Sequence, residues 1–148
     1  MAEWTRDQVE QRLEEAADVL KRLPDRSVQG YFSLWPQIKY EFADLVGQEP
    51  PRLKRPPPPA DAISRMEEAL TWTVWLEPDD GKLVWARAEG TPWKPLCWRF
   101  GLSRATAHRR YDYALSLIAW RLNGRAPPTK RSRAFVVERA RERSGACR

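Results

Sequence analysis

The chain has 148 residues, 42% of them apolar, which suffices for one compact domain or two small ones. Its net charge of +6 hides a split: residues 1–80 carry 10 Lys+Arg against 16 Asp+Glu, and residues 81–148 carry 16 against 4. Net charges of −6 and +12, with thirteen of the latter sixteen cations being Arg, point to a basic half that meets a polyanion, the alternative being a plain solvated surface of Arg-rich composition.

The first element is a helix. Thr5-Arg6-Asp7-Gln8 fits a capping box, Val9, Leu13, Ala16, Ala17 and Leu20 recur at helical spacing, and Pro24 stops the pattern after Leu23. Residues 25–35 read as an irregular aromatic connection around Gly30. Pro36 suits the first turn of a second helix carried by Ile38, Phe42 and Leu45 and ended by Gly47. Residues 1–48 thus form an acidic helical region.

Residues 49–60 form a linker. Six prolines between Pro50 and Pro59 forbid a helix or a central strand and favour an extended polyproline spacer of ~3.1 Å per residue. Beyond it, Asp61 is expected to cap a third helix with Ile63, Met66, Leu70, Val74 and Trp75 on one face. Pro78 opens a fourth, with Leu83, Val84, Ala86 and Ala88, closed near Gly90. A short helix from about Trp93 to Phe100 precedes Gly101. Ser103 then caps a long helix that runs to Asn123 and stops at Gly124. From Arg125 to Arg148 the tail is basic, and its Phe135-Val136-Val137 patch predicts a short helix or a segment that orders on a partner. No alternating strand pattern occurs, so the expected fold class is all-α, a helical bundle with a C-terminal helix-turn-helix unit over 61–124.

Residues 93–111 carry the functional signal. Leu96 and Phe100 face a small core, Cys97 suits a close helix crossing, Gly101 permits a tight turn, and Leu102 plugs it. Ala107, Tyr111, Ala114, Ile118 and Leu122 continue a buried stripe. The opposite face holds Arg104, Ala105, His108, Arg109 and Asp112, the face that a recognition helix presents to the major groove of double-stranded DNA. Arg104 and Arg109 suit base edges; Ser103, Thr106, Lys94, Arg99 and Arg110 suit phosphates. Lys130, Arg131 and Arg133 of the tail add affinity through counterion release.

The 78–123 stretch, with Ser103-Arg104-Ala105-Thr106 opening its recognition helix, resembles the helix-turn-helix of sigma factor region four. Arg110 stands where such motifs commonly carry an aliphatic core residue. The chain also resembles an uncharacterised helix-turn-helix family, a domain of unknown function of bacteria and their prophages. Gln29-Gly30-Tyr31-Phe32, Leu83-Val84-Trp85-Ala86-Arg87-Ala88-Glu89-Gly90 and Cys97-Trp98-Arg99-Phe100-Gly101 carry that resemblance across most of residues 4–124. It implies no established activity.

Other chemistries find little footing. His108 is the single histidine, which excludes most His-based metal sites and a catalytic triad, and Cys97 and Cys147 make no disulfide framework. No apolar run nears the ~18–20 residues of a membrane span, and Met1 to Gln11 is too polar for a signal peptide. The paired carboxylates Glu14-Glu15, Glu67-Glu68 and Asp79-Asp80 are adjacent on helices and so do not face each other. Trp72, Trp75, Trp85, Trp93, Trp98 and Trp120 are expected in the core rather than on a base-stacking platform. The expectation is a cytoplasmic, non-enzymatic DNA-binding protein with no metal or cofactor. A phage- or prophage-type transcriptional regulator comes first, with RNA polymerase as an implied partner and a monomer or dimer as its form. The alternative is a packaging protein like the small subunit of a viral terminase, a homo-oligomeric ring that works with the large subunit.

Overall fold

The computed structural model describes residues 3–24, 55–125 and 132–145. These form six helices and no strand: α1 (Arg6–Arg22), α2 (Ala60–Thr73), α3 (Pro78–Ala88), α4 (Trp93–Phe100), α5 (Arg104–Leu122) and α6 (Arg133–Gly145). The expected connection over 25–35, the helix from Pro36 to Gly47 and the first part of the Pro-rich linker lie outside the described residues. No helix among those described is long and apolar enough to cross a membrane.

α1 starts where its sequence places it. Thr5 Oγ1 accepts from the Gln8 amide (3.3 Å) while Gln8 Oε1 accepts from the Thr5 amide (3.0 Å), so two otherwise orphaned donors are satisfied. Val9, Leu13, Ala16 and Ala17 are buried as expected, but in the last turn Val19 takes the inner position and Leu20 is 41% exposed.

α2 departs from expectation at both its start and its face. Pro59, in extended conformation, is the N-cap and makes no side-chain capping bond. Asp61 lies inside the first turn and pairs with Arg65 at 2.8 Å instead of capping. Arg65 also reaches Glu15 of α1 at 2.7 Å, which ties the two helices at their rim. The buried face is Ala62, Met66, Ala69 and Trp72, about a quarter-turn from the expected stripe, and Val74 is 80% exposed just past the helix end. Ala16, Ala62 and Ala69 share one buried cluster. Small residues let helix backbones approach closely, so the bulkier Ile63 and Leu70 flank the contact and are only partly covered.

α3, α4 and α5 follow their predicted limits. Pro78 occupies the first turn of α3, where its missing N–H costs nothing, and Leu83, Val84 and Ala86 are buried. Only Leu96 of α4 is fully buried. α5 is the central element: its second half, Ala114 to Ala119, is buried on every side. The first helix is bound to it by polar contacts as well as by the shared core. Trp4 exchanges two hydrogen bonds with the Asn123 side chain (2.8 and 3.0 Å), and the Tyr111 hydroxyl donates to Glu10 Oε1 at 2.9 Å. One core therefore spans the segments on both sides of the Pro-rich stretch.

The basic tail contributes α6, which lies against α5 in this same chain. Val136 is fully buried, Arg133 sits over the Tyr113 ring at 5.2 Å, and Arg141 lies 3.3 Å from Asp112. Among the tryptophans, Trp72 is 2% exposed and meets Trp4 edge-on at 5.3 Å, while Trp75, Trp85, Trp93 and Trp120 are half-buried. Trp98 is the correction: it is 80% exposed, because α4 turns only its Leu96 side to the core.

Candidate nucleic-acid interface

α4 and α5 are joined by the turn Gly101-Leu102-Ser103. Gly101 is left-handed (φ 62°, ψ 33°), a conformation that a side chain would strain. The Leu102 amide then donates to the Cys97 carbonyl at 3.0 Å, closing the end of α4. Ser103 Oγ accepts from the Thr106 amide at 3.2 Å and shares a 2.9 Å hydrogen bond with Thr106 Oγ1. The two hydroxyls expected to reach phosphates thus first hold the N-terminus of α5 together. Ala107, Tyr111, Ala114 and Ile118 are buried as the stripe predicts, and Leu122 is half-buried.

Outward from that stripe lie the cations. Arg104 and Arg109 are exposed on the first two turns of α5, with Ala105 between them. Arg104 has no bonding partner among the described residues, and Arg109 Nε donates to the Ala105 carbonyl at 3.3 Å. On α4, Lys94 and Arg99 are also exposed, Lys94 lying over the Trp98 ring at 5.9 Å. None of these four pairs with a carboxylate among the described residues. Many other cations do: Arg6 with Asp112 (2.8 Å), Arg55 with Asp18 (2.7 Å), Arg125 with Glu3 (2.6 Å) and Arg139 with Glu142 (3.0 Å).

Two residues of the expected recognition face, His108 and Asp112, and one expected phosphate contact, Arg110, are placed otherwise. His108 is half-buried and stacks on Trp93, ring centroids 3.9 Å apart at 31°, so it joins α5 to α4. Asp112 lies between Arg6 and Arg141, which neutralise a charge that would repel phosphate. Arg110 turns inward: its Nε is 3.2 Å from Oδ1 of Asp80, a carboxylate only 3% exposed in the first turn of α3. The contact is an ion pair without hydrogen-bond alignment, since that oxygen accepts no hydrogen bond among the described residues. Burial pushes the Asp80 carboxyl above its ordinary pKa, against the pull of the Arg110 and Arg133 charges. Burial, helped by the Glu10 carboxylate, likewise raises the Tyr111 phenol, which stays a neutral donor.

Of the tail cations, Arg133 is exposed at the start of α6, and Lys130 and Arg131 lie outside the described residues. α5 and α6 enclose a groove of about 780 Å³ lined by Thr106, Arg109, Arg110, Arg133 and Arg141 among others. A second cleft of about 520 Å³ opens between α3, α4 and the start of α5. Sequence reasoning missed Arg87, which lines this cleft, because it reads as a solvated position on an amphipathic helix. Among the described residues no group of three or more His, Cys, Asp or Glu is placed to hold a metal ion.

A family model described as a domain of unknown function, DUF6362, matches residues 21–118. No curated protein and no solved structure matches the chain.

Proposed function

Since this chain belongs to the DUF6362 family of unknown function, we propose from its site that it is a sequence-selective double-stranded DNA-binding protein, a transcriptional regulator of phage or prophage type. The observation that carries this reading is the set of four exposed cations on α4 and the first turns of α5, Lys94, Arg99, Arg104 and Arg109, which have no carboxylate partner among the described residues. Concentrating like charge on one part of a small fold is unfavourable unless a polyanion offsets it.

In this reading α4 and α5 are a helix-turn-helix, and the N-terminal half of α5 enters the major groove. Arg104 and Arg109 offer planar donor forks to base edges, with guanine O6 and N7 the best match. Lys94 and Arg99 meet the backbone, which fixes register without reading sequence. The rigidity comes from the other half of α5, whose residues from Ala114 to Ala119 are locked in the core. Arg133, exposed at the start of α6, extends the basic surface along the duplex.

Selection of bound duplexes from a random pool tests the proposal. A recurrent motif a few base pairs long among the retained duplexes supports sequence-selective recognition. Retention of every sequence alike removes the regulator reading.

A further inference from the structure

The cleft at the junction of α3, α4 and α5 is bounded by Arg87, Pro92, Trp93, Lys94, Cys97 and Arg104. Three of these six residues are cations, and none is a carboxylate. Arg87 is fixed before any ligand arrives. Its Cζ lies 4.7 Å from the centre of the Trp93 ring, and its Nη1 donates to the Thr91 carbonyl at 2.8 Å. Its Nε is buried and has no hydrogen-bond partner among the described residues.

Lys94 and Arg104 stand at the same cleft, exposed and without carboxylate partners among the described residues. Pro92 is the N-cap of α4 and makes no side-chain capping bond, so the first turn of that helix adds uncapped amides to the same border. The Trp93 ring already meets Arg87, His108 at 3.9 Å and Tyr111 edge-on at 5.3 Å. It is therefore occupied and does not serve as a platform for a base. Charge without a stacking surface selects a phosphate rather than a nucleobase.

We infer that the Arg87–Lys94–Arg104 cleft is a phosphate-binding site, in which Arg87 is a preset ligand donor and Lys94 and Arg104 close around the anion. The inference deepens the DNA-binding reading and rests on it for the source of the phosphate, which is then a backbone group beside the bases that α5 reads. Arg104 would link the two tasks, since it both borders the cleft and begins the recognition helix. A free phosphate has the same chemistry, and the test separates the two sources.

The full-length chain, labelled with ¹⁵N, is titrated with inorganic phosphate and, separately, with duplex DNA while the Arg87 Nε–Hε resonance is followed. The salt dependence of duplex binding is measured for the wild type, Arg87→Gln, Arg87→Lys and the surface variant Lys94→Gln. If the site holds a backbone phosphate, duplex shifts the resonance and millimolar inorganic phosphate does not. Arg87→Gln and Lys94→Gln then each flatten the log–log salt slope by about 0.9, the value for one phosphate contact, and Arg87→Lys restores most of it. If the site takes free phosphate, inorganic phosphate alone shifts the resonance and Arg87→Gln abolishes binding; this also upholds the inference. Unchanged slopes in both neutral variants, with no shift in either titration, overturn it even if the wild type binds duplex. A wild type that binds phosphate here but no duplex leaves the site standing and removes the DNA reading. Should Arg87→Gln fail to fold, the two titrations of the wild-type Arg87 resonance keep the test decisive, because they need no variant.

Discussion

Arg110 and Asp80 form an ion pair, Nε to Oδ1 at 3.2 Å, in which the arginine of a predicted DNA-facing helix serves the interior instead. The position follows from α5 itself: Arg110 is next to Tyr111 and borders the buried stripe, and the N-terminal turn of α3 brings a carboxylate opposite it. A charge pair fills this position on the border of the core. Because Arg110 is the largest influence lowering the Asp80 pKa, Arg110→Met should raise that pKa further, as read by carboxyl ¹³C titration. An unchanged titration would mean that the pair is absent in solution.

The same carboxylate sets a pH dependence. Its folded-state pKa lies above the unfolded value, so the native state binds the proton more tightly than the unfolded chain does. Its stabilising contribution is full below the ordinary aspartate range and is lost as pH rises through the raised folded value. Asp80→Asn should therefore remove one part of the stability gain on acidification in urea unfolding measured across that window. Parallel curves for the variant and the wild type would contradict the assignment.

Recognition should depend on two exposed side chains that cost the fold little. Arg104→Ala with Arg109→Ala should abolish preference among duplex sequences, at ~1–3 kcal/mol per lost bidentate contact, with thermal stability within ~0.5 kcal/mol of wild type. Competition binding with the selected and a scrambled duplex measures the first effect, and a thermal melt the second. Retained preference would mean that another element reads the bases.

The tail makes a different contribution. Deleting residues 126–148 should weaken binding to all duplexes alike and flatten the salt slope. It should also lower stability, because Val136 is fully buried and Arg141 partners Asp112. Loss of binding to the selected sequence alone would place base contacts in the tail.

Core energetics rest on large buried groups. Trp72 is 2% exposed and packs on Trp4, so Trp72→Ala should cost ~3–5 kcal/mol in chemical denaturation. A cost below ~1 kcal/mol would mean that α1 and α2 are not packed as described.

Much of this fold was legible from the chain. Punctuation was the strongest signal: Thr5 and Gln8, Pro78, Gly101 and Ser103 each act locally, and each sits where its chemistry places it. Faces were less legible, because a helix buries whatever its neighbour covers. Alanine is apolar enough to lie inside and small enough to permit close approach, so the Ala62–Ala69 side of α2 displaced the bulkier Ile63–Leu70 side. Partner choice was the least legible. Nothing local shows that Asp112 will meet Arg6 and Arg141, that Arg110 will meet Asp80, or that His108 will stack on Trp93, since each pairing joins separate helices. Arg87 escaped notice because it reads as a solvated position on an amphipathic helix.

The size of the particle separates regulator from packaging ring. Light scattering should give a monomer or dimer for a regulator, and a closed ring of many subunits would favour a packaging role.

The most direct measurement is the affinity of the full-length chain for a labelled duplex, by fluorescence anisotropy, as salt is raised from about 50 to 200 mM. The account predicts binding that falls steeply and linearly on a log–log plot, with a slope set by the Lys94, Arg99, Arg104 and Arg109 surface and the tail. Absence of binding at the lower salt, to selected and random duplexes alike, would contradict it.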